Sequence, residues 1–391
     1  VETASFGAIV SWVDRPPRGG VLNGLRVGIK DVIAVQGVPR RSGAPGIVDA
    51  SPQPRDATCV ARLVADGAQI VATTTTHQLS YGVTTPGVQN PAAPGRIAGG
   101  SSGGAAAALA AGLIDGALGT DTAGSVRIPA ACCGVAALKT TEGLVPRDGV
   151  QPLAPSFDTV GPMARDVATL TALLRSITGS EIVPTLPSRL RVGVVREARE
   201  SPLDDVIRDA WTAVLQLLRR QGARVVDVSI PLWDEQHRAA GRILAAEALK
   251  AHGETLRVHA KGLAPDVRAA LESATTLSQE KVLDARRTAA MVRDRIAGVF
   301  RDVDVLVLPV LPCRVPLVGA DTVTIGDRPE PVASALTRLV DFANVAGIPA
   351  GAVPLRGSDV GGVPFSVQVA GAWTAEPTVL GVMALLQGLS L

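Results

Sequence analysis

The sequence predicts an α/β protein: a central mixed, largely parallel twisted sheet covered by helices on both faces. Three observations carry this. Short apolar runs of strand length alternate along the chain with longer runs of helical period. Glycines stand where helices must stop, at Gly67, Gly112 and Gly222. The later strand runs, such as Val303 to Pro309 and Val363 to Val369, are almost wholly apolar, as strands buried on both faces are.

The elements follow in order. Leu25 to Val32 alternates, with Leu25, Val27 and Ile29 on one face, and reads as a strand. Asp56 is expected to cap a helix over residues 57–66, with Val60, Leu63 and Val64 inward. Gln69 to Thr73 is the next strand. Gly103 to Ala111 is a helix, and Leu113 to Thr120 a strand. Leu190 to Val195 is a strand, and Asp204 to Gln221 a helix with Val206, Ala210, Val214 and Leu217 along one face. Arg224 to Ile230 is a strand. Residues 234–300 are helical and rich in Ala, Arg and Glu, and form a lid-like segment. No repeat or low-complexity linker divides the chain, so residues 1–391 read as one domain.

Composition narrows the function. With 47% hydrophobic and 19% charged residues, a disordered polyelectrolyte is excluded. A net charge of +2 gives no basic excess for nucleic acid, and 3% aromatics give no base-stacking platform. The uncharged run Ile97 to Ile114 has spanning length, but its glycines, serines and alanines suit a buried helix, so no membrane partner is expected. The N-terminal stretch lacks a basic segment followed by an apolar one. Four scattered cysteines make no disulfide framework, which points to a reducing, cytoplasmic setting.

Three segments carry chemistry. One is Gly95 to Gly104, with Ser101 and Ser102, opening the alanine helix. The second is Gly119 to Ala130, with Ser125. The third is Lys30, one of five lysines, in an otherwise apolar strand. A helix over 103–111 climbs roughly 14 Å, and a strand over 113–120 spans roughly 25 Å. A strand returning antiparallel to the helix brings the 121–125 loop near the helix start, and Ser101 near Ser125. Small residues in Asp121-Thr-Ala-Gly-Ser125 let successive N–H groups point at one spot, as an oxyanion hole requires. Serine needs a base. His77 is the one histidine near these motifs; His237, His252 and His259 lie in the helical middle. A lysine buried in a strand has a lowered pKa and, once neutral, is a usable base. On the strand alone, a half-exposed surface lysine is the commoner reading; the two serine motifs reverse it.

These segments resemble the amidase signature hydrolases. The matching stretches are Gly28-Ile-Lys-Asp31, Asn90-Pro91, and residues 94–112, 117–143, 156–166, 344–349 and 362–371. The resemblance implies a Ser–Ser–Lys triad, with Ser125 as nucleophile, Ser101 as bridge after a cis Gly100–Ser101 peptide, and Lys30 as base. It implies an oxyanion hole at Thr122, Ala123, Gly124 and Ser125, and an acyl pocket involving Gln78, Leu79 and Thr120. It implies an amidohydrolase acting through an acyl-enzyme on a small-molecule amide, with no cofactor or metal, and a homodimer is one possible assembly. There are departures: Ala123 replaces a glycine, Lys139-Thr140-Thr141 replaces Lys-Pro-Thr, and Gln78 stands where an acidic residue is usual. Arg127 and Asp121 read as structural ties of the nucleophile loop, Asp158 as structural, and Cys132 and Cys133 as core. Ser102 formally fits a nucleophile elbow, but that leaves the Ser125 motif unexplained; capping the helix or supporting Ser101 suits it better. His252-Gly-Glu254 lacks the cysteine pair of a zinc deaminase. Rival readings are the amidase subunit of a tRNA-dependent amidotransferase, a urea- or carbamate-type hydrolase, and an inactive binding module. The presence of all three triad residues argues against the last.

Overall fold

The computed structural model describes residues 5–16, 18–359 and 361–389. The expectation for the N-terminal stretch falls partly outside them.

The chain opens with β1 (Ile9–Trp12), β2 (Arg26–Lys30), α1 (Thr58–Ala65) and β3 (Gln69–Thr74). Then come α2 (Gly103–Ala110), β4 (Gly116–Asp121), α3 (Arg127–Cys133), β5 (Ala136–Lys139), β6 (Thr159–Ala164) and α4 (Val167–Thr178). The middle holds β7 (Arg191–Val195), α5 (Arg196–Glu200), α6 (Asp205–Arg220) and β8 (Arg224–Val228). Three helices follow: α7 (Trp233–His259), α8 (Pro265–Ala274) and α9 (Gln279–Val299). The last part is β9 (Val305–Pro309), β10 (Thr322–Ile325), β11 (Arg328–Pro331), α10 (Val332–Thr337), α11 (Phe342–Ala346), β12 (Ala350–Asp359), β13 (Pro364–Gly371) and α12 (Glu376–Gly388).

Eleven strands form one sheet, in the order β1-β3-β2-β4-β6-β5-β12-β13-β9-β7-β8, and β10 and β11 form a separate hairpin. The sheet is mixed, as expected. Its parallel pairings are confined to two flanks: β2 with β3 and β4, and β7 with β8 and β9. The centre, from β4 through β6, β5, β12 and β13 to β9, is antiparallel, so the sheet is less parallel than expected. One of these pairings is a close return: Asp359 stands opposite Pro364, five residues on, a spacing no parallel pair allows.

Alternation along the strands feeds two cores. In β4 and β5, Leu118, Ala136 and Leu138 face the cluster under α1, α4, α6 and α12, while Ala117 and Ala137 face the one under α2 and α3. Helices therefore cover both faces. α2 is buried almost all round, with Ala105 to Leu109 at 0% exposure. Small side chains let its start come close to the neighbouring strands; a Cβ on Gly104 would lie 2.5 Å from the Thr75 nitrogen.

Two local expectations are corrected. Asp56 does not cap α1, whose N-cap is Ala57; its carboxylate is taken by Arg15 (2.9 and 3.1 Å) and the Gln36 N–H (2.7 Å). In α6, Val214 and Leu217 are buried as expected, but the first turn turns Ile207 inward and leaves Val206 exposed, and Trp211 and Leu218 join the buried face. Trp211 is buried there, and its indole N–H donates to the Val307 carbonyl at 3.1 Å.

Candidate active site

Lys30 ends β2, between β3 and β4 in the sheet. The side chain is completely buried. Its Nζ donates to Ser101 Oγ at 2.7 Å and to Thr120 Oγ1 at 2.8 Å. Burial brings the amine down from 10.5 to about 7, against partial opposition from the charges of Asp121 and Asp158. Burial therefore favours the neutral amine, whose lone pair faces a hydroxyl.

Ser101 follows a cis peptide bond after Gly100. Its carbonyl accepts from the His77 N–H (3.0 Å) and Thr85 Oγ1 (3.3 Å). One residue on, the Ser102 N–H donates to the Ser125 carbonyl at 3.1 Å, which joins the two serine motifs. No hydrogen bond links the Ser101 and Ser125 hydroxyls among the described residues; such relays often tighten only with substrate. Ser102 is the N-cap of α2 but makes no side-chain cap; its Oγ instead reaches the Thr120 carbonyl at 3.5 Å.

The loop that carries Ser125 is held from behind. The buried Asp121 carboxylate accepts from the N–H groups of Gly124 (2.9 Å) and Val126 (3.2 Å), from Arg127 Nε and Nη2 (3.1 and 2.9 Å), and from Asn344 Nδ2 (2.9 Å). Burial opposes its charge, yet Arg127 and these donors keep it well below the usual carboxylate range. Arg127 also donates, at 2.6 Å each, to the Val340 carbonyl, Gln368 Oε1 and Asn344 Oδ1. Thr122 Oγ1 donates to Asp158 Oδ1 at 2.6 Å.

The four amides expected to form an oxyanion hole differ in their hydrogen bonding. The Gly124 N–H is already committed to Asp121. The amides of Thr122, Ala123 and Ser125 have no acceptor among the described residues. Gly124 is the loop residue with positive φ, at 108°, and a Cβ there would strike Val340 at 2.5 Å. Ala123 is not in the left-handed region, so the glycine it replaces is not needed for backbone conformation.

Ser125, Ala123 and Thr122 open onto a cavity of about 510 Å³. Much of its wall is apolar: Tyr81, Val83, Leu153, Phe157, Leu244 and Ala270. Its polar part includes His237, Arg238, Asp266 and Asp341. His237 Nδ1 lies 2.5 Å from Asp341 Oδ2, and Nε2 lies 3.4 Å from Ser334 Oγ. Burial lowers the His237 pKa, but the Asp341 charge outweighs it and the net shift is upward.

The residues expected in the acyl pocket lie elsewhere. Gln78 spans to the loop before α8: its Oε1 accepts from the Ala264 N–H (2.6 Å) and its Nε2 donates to the Gly262 carbonyl (3.4 Å). Leu79, at φ 55°, is buried in a cluster with Leu263, Val267 and Leu271. Thr120 supports Lys30. Sequence reasoning missed the cavity roles of Tyr81, Phe157, His237 and Asp341. Nothing local in the sequence marks His237 or Asp341.

Among the described residues, no group of three or more His, Cys, Asp or Glu could hold a metal ion. No described helix is long and apolar enough to cross a membrane. All four cysteines are free and buried.

Comparison with known proteins identifies the family. The amidase family model matches residues 13–380. An amidase of Pseudomonas putida is 34% identical, over 84% of this chain and 74% of its own. A glutamyl-tRNA(Gln) amidotransferase subunit of Chloroflexus aurantiacus is also 34% identical, over 93% of this chain and 82% of its own. A crystal structure described as an amidase superimposes with a TM-score of 0.91 at 32% identity, covering 98% of this chain and 92% of the other. With a family model matched along nearly its whole length and a shared fold, the chain belongs to the amidase family, hydrolases of amide C–N bonds.

Proposed function

We propose that the protein hydrolyses a small amide with an apolar acyl group, through an acyl-enzyme on Ser125. The observation that carries this is the fully buried 2.7 Å contact between Lys30 Nζ and Ser101 Oγ. When the amine is neutral, the contact reverses its sense: the Ser101 hydroxyl donates and the nitrogen accepts. Ser101 then takes the proton of Ser125, and Ser125 Oγ attacks the amide carbon. The amides of Thr122, Ala123 and Ser125 stabilise the oxyanion. As the C–N bond breaks, the relay returns the proton to the leaving nitrogen, and ammonia or an amine departs. Water gives up a proton along the same path, attacks the ester and frees the acid, which restores Ser125.

The cavity wall supports an aryl or alkyl acyl group, because Tyr81, Val83, Phe157 and Leu244 offer contact area rather than charge. Helices α7 to α9 act as a lid over the site, within one amidase unit. The free, buried thiols support a reducing compartment such as the cytoplasm. A panel of primary amides, anilides, ureas and carbamates, scored by ammonia or amine release, tests the substrate class. Cleavage confined to small charged amides would contradict it.

A second reading has one observation in its favour: the 34% identity to a component of an amidotransferase. There the site would receive glutamine and pass ammonia to a partner. Strong glutaminase activity together with co-purification of a second protein would favour that reading over the first.

A further inference from the structure

The turn at residues 77–81 stands between Ser101 and the helical wall, and grips both. On the inner side, the His77 N–H and Thr85 Oγ1 both donate to the Ser101 carbonyl, and the Thr85 N–H donates to His77 Nδ1 at 3.2 Å. The imidazole of His77 is therefore tied to the same group that holds the bridging serine. On the outer side, His77 Nε2 lies 2.9 Å from Asp266 Oδ2 in the first turn of α8. Gln78 adds its two contacts with residues 262 and 264, and Leu79 packs among Leu263, Val267 and Leu271.

The turn is unusually constrained. Leu79 and Ser80 take φ of 55° and 60°, neither being glycine, and such residues persist only where their surroundings over-determine them. The His77 ring lies against bare Gly82, where a Cβ would come within 2.3 Å of it. Gln78 and Leu79 thus join the turn to the start of α8, and the His77 main-chain N–H joins it to Ser101. Both ends face the cavity, since Asp266 and Ala270 line it from α8, and Ser80 to Gly82 line it from the turn.

We infer that His77 is a positioning residue that couples the seating of α8 over the substrate cavity to the placement of Ser101. This rests on the relay reading given above. The coupling would let a substrate that fills the cavity align the proton path, so that chemistry is fastest when the site is closed.

The test compares Asp266→Asn, His77→Gln and the double variant. Two readouts are taken: kcat and KM on an aryl primary amide, and the rate at which phenylmethanesulfonyl fluoride inactivates Ser125. Each single variant should lower kcat by ~10-fold with a smaller change in KM. Inactivation should slow by a similar factor. The double variant should be no worse than the more damaged single one, because both break one link. A rise in KM alone, unchanged inactivation, or effects that multiply would overturn the inference. If His77→Gln does not fold, the kcat and inactivation readouts of Asp266→Asn decide alone. Wild-type turnover that survives Ser125→Ala would instead overturn the relay, and it would appear with His77 untouched.

Discussion

Two lysines end neighbouring parts of the same sheet, Lys30 on β2 and Lys139 on β5, and both are completely buried. Burial brings each from 10.5 to about 7. Their surroundings differ. Lys30 donates to two hydroxyls, Ser101 and Thr120, and the first is joined through the main chain to the motif of Ser125. Lys139 donates to the Thr140 carbonyl at 2.7 Å. Its charge is disfavoured further by Arg127 and favoured by Asp121, Glu376 and Glu142. A carbonyl has no proton to give, so a neutral Lys139 has nothing to deprotonate. Desolvation makes an amine available as a base; a hydroxyl that leads to the cavity is what makes it useful.

The largest effect expected on this contrast is from Ser125→Ala. It should reduce kcat by at least ~10³-fold with circular dichroism unchanged. Near-full activity would remove the nucleophile assignment. Lys30→Met comes next, with kcat/KM down ~10²–10⁴-fold. For the native protein, kcat/KM should rise with pH through about 7 as Lys30 loses its proton, and then level off. That inflection should vanish in Lys30→Met and persist in Lys139→Met.

Lys139→Met should change kcat/KM only a few-fold and show its effect in stability. A lysine at about 7 in the folded chain and 10.5 unfolded leaves the unfolded state holding the extra proton between those values. Stability should therefore rise with pH from about 7 to 10.5, by up to about 1.4 kcal/mol per pH unit for each lysine. Urea denaturation across this range should give a shallower slope in Lys139→Met than in the native protein. An unchanged slope would mean that Lys139 is not desolvated. The smallest effect is expected from Ala123→Gly, because φ at that position is not positive. Its kcat/KM should stay within about twofold, and a larger gain would show that alanine strains the oxyanion loop.

The sequence made the catalytic half of the molecule more legible than the substrate half. Gly124, Asp121 and Lys30 are fixed by backbone conformation, a buried charge pair and burial in a strand, and each leaves a mark at its own position. The helix α4 went unread although its ends are marked in the sequence: Asp166 caps it by accepting from the Thr169 N–H at 2.7 Å, and Gly179 ends it at φ 66°. The cavity wall left none. Apart from the Ser125 loop, its residues come from the 80–83 segment, from the 153–157 segment, from α7, α8 and α10, and from the start of α11, and only tertiary packing selects which side chains face inward. Leu79 illustrates this. Its neighbours Ser80 and Tyr81 line the cavity, while it turns into the core at a left-handed φ that no local sequence rule requires of leucine.

The central claim is that Lys30 works as an uncharged amine. A ¹⁵N titration of the lysine side chains, assigned with Lys30→Met and Lys139→Met, measures this directly. Two amines should titrate near 7, and the one missing from Lys30→Met should share its midpoint with kcat/KM. A Lys30 resonance that titrates near 10.5 in an enzyme fully active at about pH 8 would contradict the account.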